Sequence, residues 1–221
     1  MIEFNKPPFI GTELEYIRQA AEENNKLCGD GPFTKKCSAW MQDNFNVKHA
    51  ILTTSCTHAL EMAAYLSEIQ PGDEVITFAP YFPEYQPYVN GTGAHLTVVP
   101  ADTENFQINF DAFEQMLTPA VQAVLINSPN NPSGAVLSPD SVKAIADLLN
   151  KKAAEYGHPI YIVADEPYRE LVYGDIEVPF IPAYYDNTVY CYSFSKSLSL
   201  PGERIGFLAL SPKMAEHDDA W

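Results

Sequence analysis

Short runs of residues that are apolar at nearly every position recur along this 221-residue chain, separated by segments with helical periodicity. Ala123–Ile126 and Ile160–Ala164 lack alternating polar residues, which is typical of strands buried on both faces of a sheet. Such strands alternating with helices predict an α/β fold, with a mostly parallel seven-stranded sheet and flanking helices. The predicted strands are Ala50–Thr53, Glu74–Phe78, His95–Val99, Ala123–Ile126, Ile160–Ala164, Thr188–Ser193 and Ile205–Leu210.

The segments between the strands carry recognisable helix signals. Thr12 and Glu15 match a capping box ahead of a predicted helix over Leu14–Glu23. Ser138 followed by Pro139 predicts the start of another helix. The apolar face of that second helix is predicted to consist of Val142, Ile145, Ala146, Leu149 and Ala153.

The charge of the chain limits the partners that it can have. Its formal net charge is −16, from 29 acidic and 13 basic residues, so its surface repels nucleic acid and anionic membranes. No apolar run approaches the ~20 residues that cross a bilayer, and the first residues lack the basic and apolar segments of a secretory signal. We therefore expect a cytoplasmic protein without nucleic-acid or membrane partners.

The cysteines give no sign of a metal site or of a disulfide framework. There is no C-x-x-C pair and no histidine at ligand spacing from a cysteine. We expect free thiols at all four positions, which are Cys28, Cys37, Cys56 and Cys191.

Segments that contain candidate site residues directly follow five of the predicted strands. In open α/β sheets, ligands bind outside the carboxyl ends of the strands, so these segments should meet along one edge of the sheet. They are Thr54–Thr57, Ala79–Phe82, Asn127–Gly134, Asp165–Tyr168 and Ser193–Lys196.

Lys196 and Asp165 can supply the two reactive groups of a pyridoxal phosphate site. Lys196 is an amine that can form a Schiff base, and the apolar residues around it predict partial burial. Asp165 ends an apolar strand, where an unpaired carboxylate is unfavourable and a protonated pyridine ring would be a suitable partner. Each has an ordinary alternative, since Lys196 could be a solvated surface lysine and Asp165 the cap of the next helix.

The spacing of Ser193 and Lys196 also fits a different chemistry, because S-x-x-K occurs in enzymes with a serine nucleophile. The S-D-N and K-T-G segments that accompany the motif in those enzymes are absent from this chain. A serine-nucleophile site is therefore not expected.

Three further residues can hold the ring of such a cofactor. Asn131 and Tyr168 are polar groups for the ring hydroxyl, and Phe82 is an aromatic side chain that can stack on the ring. The alternatives are a simple turn for Asn131, between Pro129 and Gly134, and a core aromatic for Tyr168.

The phosphate of the cofactor needs a separate group of residues. Ser193 and Arg204 can bind it, since the planar guanidinium fork of arginine suits a phosphate. A predicted helix over Thr57–Ser67 follows the first strand, and the amides at its start attract an anion. The residues at that start are Ser55, Cys56 and Thr57.

Three segments together resemble the class I aminotransferases of fold type I, the family that includes aspartate aminotransferase. They are N-S-P-N-N-P-S-G from Asn127, A-D-E-P-Y from Ala164 and S-F-S-K-S-L-S-L-P-G-E-R from Ser193, and the resemblance spans about residues 71–210. It implies pyridoxal 5'-phosphate as cofactor, with Lys196 as the Schiff-base lysine, Asp165 at the pyridine nitrogen and Asn131 and Tyr168 at the ring hydroxyl. It also implies that Ser193 and Arg204 bind phosphate and that Phe82 stacks on the ring.

The N-terminal part of the chain resembles a second family of the same fold type, the sugar-nucleotide aminotransferases. The segments F-N-K-P-P-F-I-G-T-E, L-C-G-D-G-P-F-T-K-K-C and S-C-T-H-A-L-E-M-A-A carry this likeness. The lysine motif departs from that family, which has a histidine shortly before the lysine where Phe194 and Ser195 stand here. The sequence thus predicts a hybrid large domain, with residues 1–76 from one family and residues 77–221 from the other.

These resemblances imply ping-pong transfer of an amino group from an amino acid to a 2-oxo acid, with Lys196, Asp165 and Tyr168 as catalytic residues and a homodimer as the assembly. Alternatives are a 4-keto-6-deoxyhexose sugar-nucleotide aminotransferase, a racemase or lyase, and a cofactor-binding fragment without turnover. Class I enzymes take an arginine for the substrate carboxylate from a small C-terminal domain beyond the segment that this chain resembles. Within this chain, only Arg18 or Arg169 could replace it.

Overall fold

All seven predicted strands are present in the computed structural model, which describes residues 9–27, 29–101 and 104–214. No predicted strand boundary is off by more than two residues. The strands are β1 His49–Thr53, β2 Glu74–Phe78, β3 His95–Val99, β4 Val121–Asn127, β5 Tyr161–Asp165, β6 Thr188–Ser193 and β7 Gly206–Leu210.

Seven α-helices accompany the strands in the described part of the chain, and four of them were not assigned from the sequence. They are α1 Glu13–Arg18, α2 Pro32–Phe45, α3 Cys56–Leu66, α4 Tyr85–Gly91, α5 Phe110–Met116, α6 Pro139–Tyr156 and α7 Phe194–Ser197. A π-helical stretch over Gln19–Glu23 continues α1, and a 3₁₀ turn spans Ile181–Ala183. None of these helices is long and apolar enough to cross a membrane.

The strands form one sheet in the order β1-β7-β6-β5-β4-β2-β3. The sheet is parallel except for β7, which runs antiparallel to both β1 and β6. The carboxyl ends of the six other strands therefore lie along one edge. The first residue of β7, Gly206, lies at the same edge, opposite Thr53 and Ser193. The predicted junction at residue 76 falls inside β2, so the segments on either side of it share this sheet.

The sheet has an apolar core on each face, which explains the runs without polar residues. In β5, Ile162 and Ala164 belong to one core cluster, whereas Tyr161 and Val163 belong to the other. Helices α2, α5 and α6 contribute to the first cluster, and α3 and α4 to the second. Fully burying a side chain such as that of Ile162 contributes roughly 1.5–3 kcal/mol relative to leaving it exposed.

The structure confirms the predicted start of α6 at Ser138 and Pro139. The Ser138 hydroxyl accepts a hydrogen bond of 3.0 Å from the amide of Ser141, and Pro139 occupies the first turn. On the predicted apolar face, Val142, Ile145, Ala146 and Leu149 are buried and Ala153 is partly buried.

The predicted capping box at the first helix is wrong. Thr12 forms no side-chain cap, and its backbone angles of −102° and −5° are helix-like instead of the extended angles that an N-cap residue usually has. The Glu13 carboxylate accepts hydrogen bonds of 2.7 and 2.8 Å from the amides of Ile10 and Gly11, which precede the helix. Glu15 instead pairs with Arg18 at 2.8 Å.

Candidate active site

A cavity of about 350 Å³ opens at the carboxyl edge of the sheet, and all ten predicted site residues line it. Its walls come from the start of α3, the loop after β4, the end of β5 and the segment after β6. The predicted residues are Ser55, Cys56, Thr57, Phe82, Asn131, Asp165, Tyr168, Ser193, Lys196 and Arg204. Asn127, Ser195, Tyr88 and Pro201 also contribute to the lining, and the sequence did not single these out.

Asp165 is the most buried charged group of this cavity. Its Oδ1 accepts a hydrogen bond of 3.0 Å from the Cys56 thiol, and its Oδ2 accepts one of 2.5 Å from the Tyr85 hydroxyl. Burial raises the pKa of the Asp165 carboxyl, and the two hydrogen bonds lower it in part. A cation brought to this carboxyl would lower the pKa further and stabilise the ionised form.

Tyr85 is a site residue that the sequence did not reveal. It is fully buried on α4 and lies 80 positions before the carboxylate that it contacts. Burial raises the pKa of both Tyr85 and Cys56 well above their usual values, so both groups keep their protons and act as donors. Burial likewise raises the pKa of Cys191, the residue of β6 paired with Asp165 in the sheet. These two thiols are therefore poor nucleophiles.

The loop after β4 is held against the end of β5 by Asn127. Its side-chain amide donates to the backbone oxygen of Asp165 at 2.7 Å, and its side-chain oxygen accepts from the Asn131 amide at 2.6 Å. The Asn131 side chain in turn donates to the Tyr168 hydroxyl at 3.4 Å. Burial, followed by the charge of Asp165, raises the pKa of Tyr168. The two residues predicted to share one ligand oxygen thus lie side by side.

Lys196 lies on α7, the single helical turn that follows β6. Its Nζ is 5.7 Å from the centre of the Tyr168 ring. The predicted partial burial of Lys196 is wrong for the isolated chain, where the residue is exposed. The reason is that Phe194 packs against the core, whereas Leu198 is itself 50% exposed and does not cover the lysine.

The predicted phosphate-binding residues lie on two sides of the cavity. Ser55 caps α3, and its hydroxyl accepts from the amide of His58 at 3.1 Å. Ser193 closes β6 and is buried, whereas Arg204 is exposed and donates to the Pro201 oxygen at 3.0 Å. The start of an eleven-residue helix, two serines and a guanidinium are therefore available to an anion.

Gly206 allows β7 to pass close to the start of α3. A Cβ at this position would lie 2.7 Å from the Tyr192 carbonyl oxygen and 2.9 Å from the Ser55 carbonyl carbon, both backbone atoms. We expect Gly206→Ala to lower the free energy of unfolding by roughly 1–3 kcal/mol, because backbone cannot move aside as a flexible side chain can. Urea denaturation followed by circular dichroism measures this change.

A matched control for Gly206→Ala is Gly202→Ala, which adds the same methyl group in the segment after Lys196. A Cβ at Gly202 meets no atom within 4 Å, so the effect should stay within about 0.5 kcal/mol. Equal losses in the two variants would contradict the steric explanation.

Neither arginine considered for the substrate carboxylate lines the cavity. Arg18 lies on α1 and pairs with Glu15, Glu22 and Glu23 at 2.7–3.0 Å. The Arg169 guanidinium lies 5.6 Å from the Phe180 ring centre. Of the arginines in the described ranges, Arg204 alone contributes to the cavity wall.

Arg169 instead compensates a carboxylate buried behind the cavity. Its guanidinium donates to Glu166 Oε2 at 2.7 Å and to the backbone oxygens of Val178 and Pro179 at 2.6 and 2.9 Å. Glu166 has no solvent exposure, and its Oε1 has no hydrogen-bond partner. Burial raises the pKa of Glu166 from 4.5 to about 7, against the opposing effect of Arg169.

Comparison with known proteins identifies the family. The family model "Aminotransferase class I and II" matches residues 10–219. A solved structure of an aminotransferase from Eubacterium rectale superposes with a TM-score of 0.83 at 40% identity, covering 97% of this chain and 57% of that one. The chain belongs to the class I and II aminotransferases.

Curated relatives agree with this family. A probable N-acetyl-LL-diaminopimelate aminotransferase of Bacillus subtilis is 35% identical over 76% of this chain and 41% of its own length. An aspartate aminotransferase of Thermotoga maritima is 36% identical over 75% of this chain and 43% of its own length. The chain therefore spans less than half the length of these two relatives.

The comparisons give no support to the hybrid interpretation. The match to the class I and II model begins at residue 10 and continues past the predicted junction at residue 76. The likeness of the N-terminal segments to sugar-nucleotide aminotransferases thus rests on short motifs alone.

Proposed function

We propose that this chain is the cofactor-binding part of a pyridoxal-phosphate-dependent aminotransferase that moves an amino group from an amino acid to a 2-oxo acid. The proposal rests on one observation: a lysine, a buried aspartate and a group of residues that can bind an anion line the same cavity. These groups come from segments that are far apart in the sequence, and each has a distinct task in such a site.

The residues present fit pyridoxal phosphate by their chemistry. A buried carboxylate with a raised pKa, Asp165, is suited to a protonated ring nitrogen, which would supply the missing opposite charge. The start of α3, together with Ser193 and Arg204, offers amides, hydroxyls and a guanidinium to a phosphate. When bound, the cofactor supplies an electron sink for the bond that breaks at the substrate carbon.

Each residue of the cavity would have a distinct role. Lys196 Nζ would bind the cofactor and later accept and return the proton of the substrate carbon. Asp165, held by Tyr85 and Cys56, would fix the ring nitrogen and keep it protonated. Asn131 and Tyr168 would donate to the ring hydroxyl oxygen, as their mutual contact supports. Phe82 would cover one face of the ring, since it lies in the same wall.

An amino acid is the amino donor that we propose, because the curated relatives named above are aminotransferases of diaminopimelate derivatives or aspartate. No comparison supports the sugar-nucleotide alternative. A homodimer is the assembly that we propose by analogy with the fold type.

Trapping of the cofactor tests the proposal. Purified chain is mixed with pyridoxal phosphate, reduced with borohydride and digested, and the modified peptide is located by mass spectrometry. We expect one adduct, on Lys196, and none in Lys196→Ala. An adduct on another lysine, or no adduct, overturns the proposal.

A second measurement separates a transferase from a fragment that only binds. Glutamate or aspartate is added to the loaded protein, and the absorbance of the bound cofactor is followed. Conversion to the absorbance of the pyridoxamine form supports amino transfer by this chain. Binding without conversion supports the fragment without turnover.

A further inference from the structure

We propose that Tyr192 is a positioning residue that joins the helical turn carrying Lys196 to the turn carrying Tyr168. It would thereby set the distance and angle between these two groups of the cavity. The inference rests on the proposed function, because the positioned groups are those that we assign to the cofactor.

The turn that carries Lys196 is held loosely by its own backbone. Helix α7 has four residues, and the hydrogen bonds that follow it are long: 3.4 Å from the Leu198 amide to the Phe194 oxygen and 3.3 Å from the Ser199 amide to the Lys196 oxygen. Backbone hydrogen bonds usually measure about 2.9–3.0 Å. The orientation of Lys196 therefore depends on side-chain contacts of its neighbours.

The Tyr192 hydroxyl supplies such a contact. It lies 2.6 Å from Ser197 Oγ and 2.7 Å from Glu170 Oε2. A phenol has one proton and a carboxylate only accepts, so Tyr192 donates to Glu170 and accepts the proton of Ser197. Ser197 directly follows Lys196, and Glu170 comes two residues after Tyr168. The three side chains thus bridge the two turns.

The ring of Tyr192 is fixed in place, which makes its hydroxyl a rigid anchor. It is 5% exposed and packs against Phe207 at 5.2 Å and Phe194 at 5.4 Å between ring centres. Tyr190 stacks on it at 6.3 Å. Burial raises the pKa of Tyr192, so the phenol keeps the proton that it donates.

The bridge matters to the cavity because the contact between Lys196 and Tyr168 is made by their side chains and so depends on how the two turns are placed. Lys196 Nζ lies 5.7 Å from the Tyr168 ring centre, and Tyr168 is further held by Asn131 at 3.4 Å, which is a long hydrogen bond. Without the Tyr192 hydroxyl, the two turns could shift independently. The hydrogen bond of Tyr168 to the ring hydroxyl would then be less well aligned.

The test is Tyr192→Phe, which removes one oxygen and keeps the ring. The measurements are the dissociation constant of pyridoxal phosphate and the pH midpoint at which the absorbance of the bound cofactor changes. We expect the dissociation constant to rise roughly two- to tenfold and the midpoint to rise by about half a pH unit, as for the loss of one hydrogen bond. The midpoint rises because Tyr168 favours the unprotonated form of the cofactor–lysine adduct less strongly.

Tyr190→Phe is the matched control, since it removes a hydroxyl from the neighbouring ring on the same strand and leaves the bridge intact. We expect no shift of the midpoint in this variant. Ser197→Ala and Glu170→Ala each remove one end of the bridge, so the pH midpoint should rise in both variants. They also provide the test if Tyr192→Phe does not fold.

Two results would overturn the inference. One leaves the proposed function intact, and the other overturns it as well. Should the unmodified chain bind the cofactor while Tyr192→Phe, Ser197→Ala and Glu170→Ala all keep its midpoint and affinity, the bridge has only a structural role and the proposed function stands. Should the unmodified chain not bind pyridoxal phosphate at all, both proposals are wrong.

Discussion

Replacing Asp165 by asparagine should weaken the binding of pyridoxal phosphate by about 100-fold or more, without destabilising the cofactor-free chain. The affinity falls because a buried charge pair loses one partner, which costs roughly 3–5 kcal/mol. The Asp165 carboxyl is 6% exposed, and it is the only carboxylate among the described residues that line the cavity, so the ring nitrogen would meet no other there. Titration of pyridoxal phosphate followed by absorbance measures the change.

The stability of the cofactor-free variant should move in the opposite direction. Because burial raises the pKa of Asp165 from 3.8 in the folded chain, ionising this carboxyl opposes folding at neutral pH. Asparagine removes that charge and still accepts from Tyr85, so the free energy of unfolding should be unchanged or higher at pH 7.5. An affinity within threefold of that of the unmodified chain would show that Asp165 does not contact the cofactor.

Tyr85→Phe is a matched companion to the Asp165 variant. It removes one donor to Asp165 and preserves the fully buried ring. The carboxylate remains, so the affinity should fall by no more than about tenfold, as expected for one hydrogen bond. A loss as large as that of Asp165→Asn would assign the main role to the hydroxyl.

Replacing Arg169 by methionine should lower the free energy of unfolding by about 3–5 kcal/mol at pH 8, the largest stability effect that we expect. The variant leaves the Glu166 carboxylate, which has no solvent exposure, without the guanidinium that pairs with it at 2.7 Å. It also leaves the Val178 and Pro179 oxygens without the guanidinium. Urea denaturation at several pH values measures the loss.

Arg169 and Glu166 also make the free energy of unfolding of the unmodified chain depend on pH. Glu166 has a pKa of about 7 in the folded chain against 4.5 as the ordinary value, so the folded chain binds the extra proton between these limits. The stability that this group contributes is fully present below pH 4.5 and is lost as the pH rises through about 7. Between pH 5.5 and 7.5 the loss is about 2 kcal/mol.

The loss of stability with rising pH distinguishes the variants of Arg169 and Glu166. In Arg169→Met the pKa of Glu166 should rise further, because the favourable charge is gone, so the variant loses less stability at pH 5.5 than at pH 8. The double variant with Glu166→Gln has no titrating group there and should abolish this difference. An Arg169→Met loss that is the same at both pH values would show that the carboxylate is not the cause.

The residues alone were enough to predict the seven strands and the edge of the sheet at which the candidate site lies. Both are local properties. A run such as Ile160–Ala164 predicts a buried strand from its own residues, because every position is apolar. In the structure, its alternate side chains face the two core clusters. Polar segments at strand ends share an edge whenever the strands are parallel, so Asn131, Asp165 and Lys196 could be grouped before their contacts were known.

Contacts between distant segments could not be predicted from the sequence, because they depend on how the strands and helices pack together. Nothing near Tyr85 in the sequence indicates that its hydroxyl reaches Asp165, because that contact depends on which strands are neighbours in the sheet. The antiparallel direction of β7, the pairing of Arg169 with Glu166 and the Tyr192 bridge have the same origin. The exposure of Lys196 and the missing cap at Thr12 depend on the position and backbone angles of a single turn, which side-chain periodicity does not specify.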